Sequence, residues 1–92
     1  MIKSFRHKGI ERFFLTGKTS GIPSGHAVKL RRQLAALNEA SSPKAMDFPG
    51  WHLHSLKGSM VGQWSIRVSA NWRLTFAFDG TDAILVDYRD YH

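Results

Sequence analysis

QWSIRVSANWRLTFAFDGTDAILVDYRD, residues 63–90, is the stretch whose reading decides the fold. Apolar residues recur there at every second position: Trp64, Ile66 and Val68, then Trp72, Leu74, Phe76 and Phe78, then Ile84, Val86 and Tyr88. A period of two belongs to a strand with one buried face, because successive side chains leave the backbone on opposite sides. The spacing predicts strands over 63–68, 72–79 and about 83–90. Asp79-Gly80-Thr81-Asp82 has room only for a hairpin turn. Gly58 to Gly62 reads the same way, after an earlier strand over 51–56 in which Trp51 and Leu53 alternate with His52 and His54. Connections this short make the sheet antiparallel.

Upstream the period changes. Ile10, Phe13 and Phe14 fall at i, i+3 and i+4, which predicts a helix over 7–16 stopped by Gly17. Lys18-Thr19-Ser20-Gly21-Ile22-Pro23 reads as a loop. Ser24 is the expected cap of a second helix running to about Glu39. Ala27, Leu30, Leu34 and Leu37 line one side of that helix, with Lys29, Arg31, Arg32 and Gln33 elsewhere on its surface. Residues 1–5 are long enough for a short first strand. Two amphipathic helices ahead of a strand meander predict an α+β fold, with the helices covering the aromatic side of a curved antiparallel sheet. The other side would carry His52 or His54, Arg67, Arg73 and Thr75. It is expected to be polar, cationic and only partly covered, a floor for an RNA groove.

The chain has 92 residues, enough for one domain, 1–92, with one modest core. A hydrophobic content of 42% with 22% charged residues is ordinary for a globular chain and excludes general disorder. There are no cysteines, so disulfides, thiolate nucleophiles and Cys-containing zinc sites drop out together. Nothing at the start resembles a secretory signal, and no apolar run is long enough to span a bilayer, so a cytoplasmic, membrane-free protein is expected. The net charge of +6 is unevenly spread. Up to Met46 nine Lys/Arg face two acids, whereas from Asp47 onward four face five. A basic half of this strength suits a polyanionic partner such as RNA, DNA or a ribosome, and equally a merely basic surface.

Three places carry the groups that RNA cleavage requires. His54-Ser55-Leu56-Lys57-Gly58 sets a histidine on a strand with a lysine three residues on. Asn71-Trp72-Arg73 sits at a tight reversal. Tyr88-Arg89-Asp90-Tyr91-His92 ends the sequence. Cleavage needs a base for the ribose 2′-hydroxyl, an acid for the departing 5′-oxygen, and cations for the phosphorane between them. Histidine titrates in the range suited to the first two roles. Lys57, Arg67 and Arg73 suit the third, Arg as a planar fork and Lys as a point charge. Each feature also has a plainer reading. A strand histidine is usually structural, the last triplet could be a frayed tail, Arg73 could pair with Asp87 or Asp90, and Arg31-Arg32 could be a solvated helix face. His52, His54 and His92 do not form a metal signature, and no metal is expected.

Four blocks resemble HigB toxins of the RelE/ParE superfamily, in that family's order and spacing. They are Met1-Ile2-Lys3-Ser4-Phe5 with His7-Lys8-Gly9; His54-Ser55-Leu56-Lys57-Gly58; Gly62-Gln63-Trp64-Ser65-Ile66 leading to Ala70-Asn71-Trp72-Arg73-Leu74-Thr75-Phe76; and Asp87-Tyr88-Arg89-Asp90-Tyr91-His92. The resemblance implies two helices on a curved antiparallel sheet. It also implies a toxin that cleaves mRNA in the decoding site of the 70S ribosome without a cofactor. A cognate antitoxin is implied too, expected to be a HigA-type helix-turn-helix protein through which the toxin meets operator DNA indirectly. The same resemblance assigns catalysis to His54, Asp90, Tyr91 and His92, and phosphate or RNA contacts to Lys57, Asn71 and Arg73. To these the charge pattern adds Arg67, Lys29, Arg31 and Arg32 as RNA contacts. Ser55 departs from the proline common in relatives and restores a backbone N–H there. ParE proteins of the same superfamily act on gyrase without catalysis. A gyrase-directed toxin and a non-catalytic ribosome-binding module are therefore the rival expectations.

Overall fold

The computed structural model describes residues 1–91; the expected site residue His92 lies outside them. The chain forms helices α1 (Lys8–Thr16) and α2 (Ala27–Glu39), then strands β1 (His54–Ser55), β2 (Gln63–Ser69), β3 (Trp72–Asp79) and β4 (Asp82–Asp90). The strands make one antiparallel sheet in the order β1-β2-β3-β4. This is the expected α+β architecture. No described helix is long and apolar enough to cross a membrane.

Both ends of α1 are capped. His7 Nδ1 accepts from the Ile10 N–H at 3.0 Å, and Gly17, at φ 79°, returns its N–H to the Phe13 carbonyl at 2.8 Å. The left-handed φ is why a glycine ends this helix. The second helix begins two residues later than expected, with His26 rather than Ser24 at its cap position. Gly25 at φ 90° and a turn from the His26 N–H to the Pro23 carbonyl, 3.1 Å, keep 23–26 out of helical geometry. Ile10, Phe13, Leu30, Leu34 and Leu37 press onto Ile66, Leu74, Phe76, Val86 and Tyr88 of the sheet. Gln33 is not on the surface but fully buried, its Nε2 donating to the Arg67 carbonyl at 2.8 Å. That bond offsets the cost of taking an amide out of water.

Three strand expectations are corrected by backbone detail. Residues 51–56 shrink to a two-residue strand because His52 sits at φ 52°, outside extended geometry. Residues 1–5 make only isolated parallel bridges, Ile2 to Ala83 and Phe5 to Val86. Between those bridges β4 bulges at Leu85, φ 57°, whose N–H turns to Ser4 Oγ at 2.9 Å. The bulge also changes the parity of β4. Ala83 pairs with Phe78 on the core side, and Ile84 pairs with Ala77 on the opposite side, apart from Val86 and Tyr88. An extra residue on one strand re-aims the side chains that precede it.

The side away from the helices is less open than alternation implies. Ser65 and Thr75 are fully buried and Ala77 nearly so. The β1–β2 connection explains this. Its short 3-10 turn, Gly58–Met60, brings Met60 Sδ to 3.5 Å from Nη1 of Arg89 on β4. That contact spans the face of β3, which lies between β2 and β4.

Candidate functional site

Strand register sorts the outer face into cross-strand rows. One row runs His54, Ser65, Thr75, Asp87, each the register partner of the next. The adjacent row runs Arg67, Arg73, Arg89. Residues directly opposite in antiparallel strands stand roughly 4.5–5.5 Å apart at Cβ, and like charges so placed repel. Three arginines in one row therefore mark a surface that favours a polyanion. Part of the repulsion is offset within the protein. Arg89 Nε pairs with Asp87 Oδ2 at 3.0 Å. Arg73 Nη1 donates to the carbonyls of Ala70 at 2.9 Å and Trp72 at 3.2 Å. Ala70, at φ 51° in the β2–β3 turn, helps present its carbonyl there. Arg67 stays exposed. The open question of Arg73 is thereby partly answered, since Asp87 takes Arg89 rather than Arg73.

His54 is exposed at the end of the first row, with both ring nitrogens engaged. Nδ1 is 3.0 Å from the His52 carbonyl and Nε2 is 3.2 Å from Ser65 Oγ. A carbonyl only accepts, so Nδ1 carries hydrogen. In the neutral ring Nε2 is then the acceptor and the Ser65 hydroxyl the donor. The left-handed backbone of His52 aims the carbonyl that fixes this tautomer. Lys57 is exposed at the foot of the Gly58–Met60 turn, on the connection that Arg89 tethers.

Asn71 and Tyr91 meet at the far end of the sheet, the Tyr91 N–H donating to the Asn71 carbonyl at 2.8 Å. Tyr91 is half-buried and Asn71 exposed. Asp90 is placed differently from His54. It is the register partner of Trp72 and alternates with Tyr88, which sets it on the helix-covered side. Its carboxylate is felt there by Tyr88, whose phenol is pushed up to about 12, by burial first and by Asp90 second. That phenol stays protonated and shares a hydrogen bond with His26 Nδ1. Lys29, half-buried, and the exposed Arg31 and Arg32 are also apart from the row, because α2 covers the other side of the sheet. Arg31 lies over the Phe13 ring at 5.5 Å.

The structure thus places His54, Arg67 and Arg73 on one side of the sheet, with Lys57 exposed on the β1–β2 connection, and adds three residues that sequence reading missed: Ser65, Asp87 and Arg89. Parity with Arg67 was a signal for Ser65. Nothing local tied Arg89 to Arg73, because that link is a register across strands.

The family model for the RelE-like toxin HigB of type II toxin–antitoxin systems matches residues 3–92. Among curated proteins, the endoribonuclease HigB of Proteus vulgaris is 44% identical over 92 residues, covering 100% of both chains. With a match over nearly the whole chain and this level of identity, the chain belongs to the HigB family of RelE-like toxins of type II toxin–antitoxin systems.

Proposed function

We infer that this chain, like its Proteus vulgaris relative, is an endoribonuclease. We further propose that it acts on mRNA in the decoding site of the 70S ribosome, by attack of the ribose 2′-oxygen on the adjacent phosphorus. The observation that carries this reading is the Arg67–Arg73–Arg89 row beside His54, with Lys57 on the neighbouring connection. A base, a general acid and preorganised cations are what the reaction needs, and such cations often supply the largest share of the acceleration. His54 or His92 takes the 2′-hydroxyl proton. Tyr91 and the other histidine assist protonation of the leaving 5′-oxygen, and Asp90, from the other side of the sheet, helps orient them. Lys57 and Arg73 stabilise the phosphorane, and Arg67 and Asn71 hold flanking RNA. The products are a 2′,3′-cyclic phosphate and a 5′-hydroxyl, with no cofactor taking part. Lys29, Arg31 and Arg32, on the other side of the protein, bind ribosomal RNA.

As a type II toxin the chain has a cognate antitoxin partner. The proposed partner is a HigA-type helix-turn-helix protein that links the toxin to operator DNA, and the proposed compartment is the cytoplasm. The deciding experiment is toe-printing of a ribosome-bound mRNA in a purified translation system. It compares the intact chain with His54→Ala and with a deletion of His92. Cuts in the decoding-site codon, lost in both variants, are expected. Uncut mRNA with failing DNA supercoiling would replace this reading by a gyrase-directed one, and 3′-hydroxyl products would rule out the chemistry.

A further inference from the structure

Lys57 rides on the β1–β2 connection, whose base is closed by the Leu56 N–H donating to the Gln63 carbonyl at 2.9 Å. Beyond that bond the chain makes an excursion that has Gly58, at φ 67°, near its start and Gly62, at φ 93°, at its end. Glycine leaves the backbone free to rearrange, so a segment bounded by two of them would by itself sample many positions. A chain of contacts opposes this. Met60 Sδ accepts from Arg89 Nη1 at 3.5 Å, and the Met60 N–H donates to the Lys57 carbonyl at 3.3 Å. Arg89 is itself held, its Nε donating to Asp87 Oδ2 at 3.0 Å. Asp87 is tied to the backbone in turn, its Oδ1 accepting from the Tyr88 N–H at 2.9 Å. The Arg89 and Asp87 side chains are 34% and 17% exposed, partly out of water, where a charge-assisted bond is stronger than on an open surface.

We propose that Asp87 and Arg89 are positioning residues for Lys57, forming a strut from β4 across β3 that fixes the β1–β2 connection on the outer face of the sheet. The strut runs from the β4 backbone through Asp87, Arg89 and Met60 to the Lys57 carbonyl. Its foot is firm, because β4 is laddered to β3 on one edge and bridged by residues 1–5 on the other. Arginine suits the middle of such a strut. Its planar guanidinium holds several N–H donors in fixed geometry, so one group can join a carboxylate and a thioether at once. Fixing the connection matters for chemistry. A cation stabilises a phosphorane best when it is already in place, and ordering a loose segment during the reaction would raise the barrier.

This role rests on the reading of Lys57 as a phosphorane contact, and two measurements separate the strut from that reading. The first is backbone NMR relaxation of the free, full-length protein. In Arg89→Ala the order parameters of residues 58–61 should fall from about 0.85 to below about 0.6, while those of β3 stay high, which also shows that the variant is folded. Met60→Ala removes the far end of the strut, leaves Asp87 and Arg89 in place, and should do the same. The second is single-turnover cleavage of mRNA on programmed 70S ribosomes, read against toxin concentration. Arg89→Ala should lower the saturating rate by about tenfold to 10²-fold, as a misplacement of roughly 1 Å does, and leave the half-saturating concentration nearly unchanged. Arg89→Lys keeps the charge without the fork and should be as slow as Arg89→Ala. In a Lys57→Ala background Arg89→Ala should cost nothing further, because it acts through Lys57. Rigid residues 58–61 in both folded variants overturn the strut. Full recovery in Arg89→Lys overturns it too, as do losses that add to that of Lys57→Ala, which would make Arg89 a direct RNA contact. A connection that loosens while neither Arg89→Ala nor Lys57→Ala slows cleavage supports the strut and removes Lys57 from the chemistry.

Discussion

Tyr88 links the helices to the strand that leads into Tyr91, and its phenol makes a quantitative prediction about alkaline stability. The ring stacks on Trp72 with centroids 4.6 Å apart, and its hydroxyl shares a hydrogen bond with His26 Nδ1. Burial and the Asp90 carboxylate raise its pKa from 10.0 to about 12. The unfolded chain therefore loses this proton first as pH rises, and unfolding becomes easier wherever the unfolded state holds fewer protons than the native one. The stabilisation is fully present below pH 10 and is lost between pH 10 and about 12. At about 1.4 kcal/mol per pKa unit, a shift of this size is worth about 2–3 kcal/mol, a large share of the roughly 5–15 kcal/mol that holds a domain together. The assay is urea unfolding at closely spaced pH values from 8 to 12, comparing the parent with Tyr88→Phe. Every other ionisable group is common to both proteins, so the difference between the two curves isolates Tyr88. Near pH 8 the variant should be less stable by about 1 kcal/mol, through loss of one hydrogen bond. The gap should close and then reverse as pH approaches 12. Parallel curves over that range would refute the reasoning, because they would mean the phenol titrates alike in both states.

Other expectations follow from the same geometry. Lys57→Ala and Arg73→Ala should each lower the cleavage rate by about 10²–10³, the usual effect of removing a preorganised charge contact, with little change in urea midpoint; single-turnover cleavage on the ribosome reads this. Phe76→Ala should destabilise by about 3–5 kcal/mol in urea unfolding, since the ring is fully buried against the helices. Gly17→Ala should cost about 1–2 kcal/mol although nothing blocks the added methyl, because the penalty lies in φ 79°. Neutralising Lys29, Arg31 and Arg32 together should weaken ribosome binding and flatten its dependence on salt; binding measured across several salt concentrations would show an unchanged slope if these residues touch no RNA.

The identity of the elements was legible in the sequence because it rests on local periodicity. The alternation from Trp72 to Phe78 defines β3 to the residue, and the Ile10, Phe13 and Gly17 spacing defines α1, since burial of one side and the left-handed need of a helix end are written within a few neighbouring positions. Histidine and arginine on one side of the sheet were legible for the same reason. What the tertiary structure alone decided is which of these residues meet. Cross-strand register joins Arg67 to Arg73 and Arg89, and His54 to Ser65 and Thr75, and register depends on pairing between distant parts of the chain. The Leu85 bulge, made where the first residues bridge to β4, sends Ile84 to the side opposite Val86 against any simple count by twos. Asp90 follows the parity of Tyr88 and lies across the sheet from His54, and Gln33 is drawn inward by a carbonyl 34 residues away. A period shows that a residue faces inward or outward; only the folded chain supplies the partner it faces.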